Sequence, residues 1–146
     1  MMMNDAADIE IIYQNVRGLR TKISDLYLQS FTMECEILAL SETWLKEGIF
    51  DTELLNSTFV VYRKDRNYAQ TGVTRGGGVL LALKTSFQAV RIVLQGLNDL
   101  DCDYVGVRVR RQDLAGSLHV FVFYFPPNTA AETYARVCDA LTIYMS

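Results

Sequence analysis

Proline is almost absent from this chain: 146 residues contain two, and they are adjacent. That excludes a Pro-rich linker. With 50% of residues hydrophobic and 21% charged, a disordered chain is excluded as well. There is no basic excess. Fourteen Lys and Arg face 17 Asp and Glu, a net charge of -3, so the chain is not a basic nucleic-acid coat, although local patches are compatible with it. No apolar run approaches the ~18 residues that span a bilayer. Asp5, Asp8 and Glu10 stand where a signal peptide would be positive. An intracellular protein, nuclear or cytoplasmic and without a membrane partner, is expected. The three cysteines, Cys35, Cys102 and Cys138, form no C-x-x-C pair and read as reduced thiols, most simply as small buried hydrophobes. Repeats, low-complexity tracts and charge blocks are missing too, so the length fits one domain.

What is present is a succession of short β-rich runs. Residues 8–15 (DIEIIYQN), 37–40, 59–62, 79–83, 88–94, 103–110 and 118–125 predict strands. Thr21 is a candidate N-cap for a helix carrying Ile23, Leu26, Tyr27, Ser30 and Phe31 on one side. Thr129-Ala130-Ala131-Glu132 matches a capping box, with Ala130, Tyr134, Val137, Leu141 and Met145 as the stripe behind it. The runs 79–83 and 120–123 are apolar at every position. Because successive side chains face opposite sides of a sheet, both faces must be covered. The long helix can cover one of them. A layered α/β fold is predicted in which something further must bury the sheet.

Asn15 ends the first strand and Glu42 follows the end of the second. Polar residues at strand ends collect at one rim of a layered α/β protein, where ligands bind. A carboxamide beside a carboxylate suits a hard cation such as Mg²⁺, which takes oxygen ligands at about 2.0–2.1 Å and keeps several waters. A solvated rim residue or a helix cap is the commoner role for such a glutamate. Tyr124 ends the last strand before Phe125-Pro126-Pro127, where a hydroxyl could reach a phosphate oxygen, or an aromatic could simply pack. Gly76, Gly77 and Gly78 precede a strand with no G-K-[ST] after them, so they mark a bulge or a close backbone approach and not a phosphate loop. Asp99, Asp101 and Asp103 imitate the start of a calcium loop, but Tyr104 and Arg110 stand where Gly and Glu are required. His119, the lone histidine, has no nucleophile motif near it, and a structural role is favoured. Arg63, Lys64, Arg66 and Arg75 border a polar loop containing Tyr68; they suit a nucleic-acid backbone or a solvated loop equally well.

The runs Tyr13-Gln14-Asn15-Val16-Arg17-Gly18-Leu19-Arg20, Leu40-Ser41-Glu42-Thr43-Trp44-Leu45, Tyr62-Arg63-Lys64-Asp65-Arg66, Gly76-Gly77-Gly78-Val79 and Tyr124-Phe125-Pro126-Pro127 occur in that order. Over residues 9–128 the series resembles the endonuclease/exonuclease/phosphatase superfamily, exonuclease III and DNase I included. The likeness is greatest to the endonuclease domain of non-LTR (LINE-type) retrotransposons. The resemblance implies a four-layer α/β sandwich of the DNase I-like type and Mg²⁺- or Mn²⁺-dependent phosphodiester cleavage. By position it makes Asn15 the active-site asparagine, Glu42 the metal-binding glutamate and Tyr124 the tyrosine near the scissile phosphate. Asn15 would be a second metal ligand, and Arg20, Arg63, Arg66 and Arg75 candidate DNA contacts. In the retrotransposon setting the nick primes reverse transcription. In that family a second half-domain and a reverse transcriptase follow in the same polypeptide, and the resemblance implies DNA as the partner.

The family's second-half runs, G-D-x-N and S-D-H, do not occur in these 146 residues. The expectation is therefore a tail at 1–8 followed by the N-terminal portion of such a domain at 9–146, comprising mainly the first sheet and its helices. It would be inactive alone and bind Mg²⁺ weakly. A non-catalytic binding or assembly module, a phosphatase and an apurinic-site nuclease are the alternatives. With its partner sheet missing, a face of several hundred Å² would meet water, forfeiting on the order of 10 kcal/mol.

Overall fold

A computed structural model describes residues 8–72 and 75–146 of the chain. The expected tail at 1–8 lies outside the described residues, apart from Asp8. The elements are β1 (Ile11–Asn15), α1 (Ile23–Ser30), β2 (Ile37–Ser41), α2 (Asp51–Leu54), β3 (Phe59–Lys64), α3 (Tyr68–Thr71), β4 (Val79–Lys84), β5 (Gln88–Ile92), β6 (Asp103–Arg110), β7 (Leu118–Tyr124) and α4 (Ala131–Met145).

The strands form two sheets. The first has the order β1-β2-β4-β3 and the second β5-β6-β7. β1 runs parallel to β2, with Ile11 opposite Ile37 and Asn15 opposite Ser41, so both strands end at the same edge. The other pairings are antiparallel. On one face of the first sheet Leu38, Leu40, Leu80 and Ala82 pack with Leu26 of α1 and Leu54 of α2. On the other, Ile37, Ala39, Val79, Leu81 and Leu83 meet Val105, Val107, Val109 and Val122 of the second sheet. The far face of that sheet carries Tyr104, Phe121 and Phe123 against Val137 and Ala140 of α4. Helix, sheet, sheet and helix are the four layers of the predicted sandwich.

This corrects the expectation of an uncovered sheet. The apolar runs 79–83 and 120–123 belong to different sheets, and residues 79–83 are all at most 1% exposed because the second sheet covers Val79, Leu81 and Leu83 while α1 and α2 cover Leu80 and Ala82. The exposed apolar side chains include three in a row on the edge strand β1, where Ile11, Ile12 and Tyr13 are 45, 43 and 59% exposed.

The helix ends also differ from expectation. α1 begins after Lys22 and not at Thr21, with no side-chain cap; Lys22 Nζ instead donates to the carbonyl of Val16. Phe31, expected on its buried stripe, is 61% exposed and meets Tyr27 edge-on. α4 has Ala130 as its uncapped N-cap. The Thr129 hydroxyl turns away to donate to the Pro126 carbonyl at 2.5 Å, with Asn128 at φ 63° in the intervening turn. Its buried face is Val137 and Ala140, with Leu141 and Tyr144 beside them, while Tyr134 and Met145 of the expected stripe are exposed. The three cysteines are free, and Cys138 is exposed. Among the described residues no helix is long and apolar enough to cross a membrane.

Candidate active site

The edge where β1 and β2 end is the chemically distinctive part of the molecule. Parallel pairing continues past the strands as a backbone seam. Val16 N–H donates to Ser41 O (3.0 Å), Gly18 N–H to Glu42 O (2.7 Å) and Leu19 N–H to Thr43 O (2.9 Å). Asn15 and Glu42 therefore stand on adjoining chain segments at one rim, as their positions in sequence predicted. Asn15 is exposed, and its Oδ1 accepts the N–H of Arg17 at 3.3 Å.

Glu42 has φ 53° and Trp44 φ 56°. A left-handed backbone costs a residue with a side chain about 1–2 kcal/mol, so the surroundings must hold it. A second seam does so from the other side: Thr43 N–H donates to Gly78 O (3.2 Å) and Trp44 N–H to Gly77 O (3.0 Å). The close approach read from the three glycines is present. A Cβ at Gly78 would lie 2.5 Å from Thr43 Oγ1, and one at Gly77 would lie 2.7 Å from Arg66 Cδ and 2.8 Å from Asp103 Oδ2. Gly18 is equally constrained, lying against the Trp44 ring. This packing buries Thr43 Oγ1 and Trp44 Nε1 with no hydrogen-bond partner among the described residues.

Tyr124 comes to the same rim from the second sheet. Its hydroxyl donates to Glu42 Oε1 at 3.3 Å, across 82 positions of sequence. Burial first, then the Glu42 charge and that hydrogen bond, raises the Tyr124 pKa above its ordinary 10.0. A phenol is protonated at neutral pH in any case, and the shift keeps this one a donor further into the alkaline range. The structure brings Asn15, Glu42 and Tyr124 to one edge. Their oxygens could serve a cation, with Glu42 as the carboxylate. Among the described residues no group of three His, Cys, Asp or Glu side chains is placed to hold one.

The four arginines divide. Arg63 is ion-paired to Asp51 (3.2 Å) and Asp65 (3.1 Å), and Arg66 to Asp101 (3.0 Å), and both side chains are largely buried. Arg20 Nε donates to the Trp44 carbonyl at 2.5 Å, and its guanidinium lies over the Tyr68 ring. Arg75 is exposed and lies over the Trp44 ring, 5.8 Å from its centroid. His119 sits on the outer face of the second sheet, its Nδ1 2.7 Å from the Tyr144 hydroxyl.

Asp103 also reaches this rim and was not among the sequence candidates. The sequence exposes it only inside a failed calcium motif, yet it is 6% exposed and accepts the Gly78 N–H at 2.9 Å, with Arg66 Nη1 3.9 Å away. Burial raises its pKa above the ordinary carboxylate value, opposed by the Gly78 bond and then by Arg66.

No family model and no curated protein matches the sequence. Solved structures do match the fold. The human Nocturnin catalytic domain, solved with bound sulfate, superposes over 93% of this chain at a TM-score of 0.66 and 16% identity; this chain spans 57% of that domain. A humanized D. rerio TDP2 aligns over the same shares at a TM-score of 0.49 and 13% identity. The chain thus carries the DNase I-like α/β sandwich fold over little more than half the length of the Nocturnin domain.

Proposed function

We propose that this chain is the N-terminal portion of a divalent-metal-dependent phosphodiesterase domain of the endonuclease/exonuclease/phosphatase superfamily. Within it we assign the non-LTR retrotransposon type, which nicks DNA to prime reverse transcription. The observation that carries the proposal is the hydrogen bond from Tyr124 to Glu42, made between sheets at the rim where Asn15 ends its strand. The ordered runs around residues 13–20, 40–45 and 124–127 support the retrotransposon assignment.

The donor set fits a hard cation that keeps most of its waters: one carboxylate, Glu42, and one carboxamide, Asn15. Bound there, Mg²⁺ or Mn²⁺ would supply positive charge to a phosphate and acidify a coordinated water. The protein's own groups do the rest. Tyr124, kept protonated, turns its hydroxyl from Glu42 to a phosphate oxygen as negative charge builds there. Asn15, held through Oδ1 by the Arg17 amide, orients its NH₂ towards the same phosphate. Arg75, carried on Trp44, meets the backbone of the DNA.

Assignment of a single carboxylate, Glu42, to the cation makes this chain by itself a weak metal binder and an inactive nuclease. It also favours a second reading, a non-catalytic binding module of the same fold. Mn²⁺ titration followed by electron paramagnetic resonance tests the site. We expect weak binding, and at least about a tenfold loss (~1.4 kcal/mol) in Glu42→Gln. Equal affinity in the two proteins would remove the metal assignment and leave the binding module. Plasmid incubated with Mg²⁺ and the 146-residue chain is expected to stay supercoiled. Nicking abolished by Glu42→Ala would establish the chemistry and overturn the inactivity.

A further inference from the structure

Glu42 and Tyr124 belong to different sheets, so their separation depends on whatever ties the sheets together at this rim. We propose that Asp103 is that tie: a positioning residue that sets Glu42 against Tyr124 through the glycine turn, without touching substrate. The proposal rests on the assignment of Glu42 and Tyr124 to the site.

Asp103 opens β6 and is the register partner of Tyr124 on β7. Its backbone is thereby fixed to the strand that carries the phenol. Its buried carboxylate reaches across to the first sheet and accepts the Gly78 N–H at 2.9 Å. Gly78 in turn offers its carbonyl to Thr43 N–H, and Gly77 offers its carbonyl to Trp44 N–H. Glu42 stands immediately before these two residues, and its left-handed backbone is held by the seams on either side. The chain of bonds runs from Tyr124's strand partner to Glu42's own neighbours. Tyr68, whose hydroxyl donates to the Gly76 carbonyl at 3.0 Å, holds the turn's other end but belongs to no strand.

The turn is built around this carboxylate. Gly76, Gly77 and Gly78 have φ of 97, 70 and 88°. A side chain at Gly77 would collide with both Asp103 Oδ2 and Arg66. Arg66 Nη1, 3.9 Å from Asp103 and itself mostly buried, supplies the opposing charge. A buried carboxylate is a costly filler unless its oxygens accept hydrogen bonds, and here the bond it accepts comes from the turn.

Three measurements on wild type, Asp103→Asn and Asp103→Ala decide the matter. Trp44 is the chain's single tryptophan and hangs on Gly77, so its emission reports the turn. Gly78 amide exchange reports the bond itself, and Mn²⁺ affinity reports the site. Asparagine keeps an acceptor oxygen at the same reach, whereas alanine removes it. We expect Asp103→Ala to shift Trp44 emission, to speed Gly78 exchange at least about a hundredfold while α4 amides keep their protection, and to weaken Mn²⁺ about tenfold. Asp103→Asn should recover most of each. Wild-type emission and Gly78 protection in Asp103→Ala would overturn the proposal, as would an Asp103→Asn protein behaving like alanine. Wild-type protein that binds no Mn²⁺ would sink the site assignment alone, leaving emission and exchange to decide the tie. Should Asp103→Ala not fold, Asp103→Glu takes its place. Its extra methylene displaces the turn, and it is expected to shift Trp44 emission and Gly78 exchange in the same direction; wild-type values would overturn the tie.

Discussion

At the scale of single residues, the rim is an assembly of conformations that side chains normally avoid. Glu42 and Trp44 have positive φ, and so do the three consecutive glycines opposite them. Gly78 has no room for a methyl group and the wrong backbone for one. Gly78→Ala is expected to destabilise the chain by about 2–4 kcal/mol, read as a lower urea midpoint, from the left-handed backbone and the contact with Thr43 together. Tyr124 offers a pH test. Its pKa is raised on folding, so the folded state holds its proton more tightly than the unfolded state, and stability falls as pH climbs from 10.0 towards the raised value. Tyr124→Phe has no such proton. The wild type should therefore lose stability relative to Tyr124→Phe above pH 10 and show a constant difference between neutral pH and about pH 9. Tyr68, also raised, is common to both proteins and cancels. Urea unfolding midpoints at stepped pH check the sign.

Among the elements, α4 shows how local pattern and packing part company. Its N-cap, Ala130, has extended backbone (φ -64°, ψ 146°) suited to a capping side chain but lacks one. Thr129, one residue early, spends its hydroxyl on Pro126. Placing an acceptor at the true N-cap with Ala130→Asp should stabilise the chain by about 1 kcal/mol, through the first-turn amides and the helix dipole. The check is again the urea midpoint. The packing face of α4 is likewise set by Phe121 and Phe123, which select Val137, Ala140, Leu141 and Tyr144 from the apolar positions available. Helical spacing alone admits the neighbouring stripe too.

For the whole molecule, the sandwich buries its central strands and leaves β1 as an edge with apolar side chains in water. Unpaired strand edges recruit other strands. The chain is expected to associate with itself as its concentration rises, and Ile12→Lys, which puts a charge on that edge, should hold it monomeric. Sedimentation velocity over a concentration series measures this, and a wild-type protein that stays monomeric throughout would count against it. The stability cost foreseen from a bare sheet face is absent because β6 and β7 already supply the covering layer.

Strand positions, the α/β class and the polar residues at strand ends were determined by the sequence, because alternation, apolar runs and chain breaks are local signals. Residues 103–110 were placed to the residue, and the position of Asn15 and Glu42 at one rim was legible because the first ends a strand and the second directly follows one. Tertiary structure decided which sheet each strand joined, since two runs apolar on both faces look alike whichever layer buries them. It also decided the partners of Arg63 and Arg66, the left-handed backbone at Glu42, and the place of Asp103. That carboxylate lies 25 residues from the amide it holds, and no spacing along the chain records a bond made between two sheets.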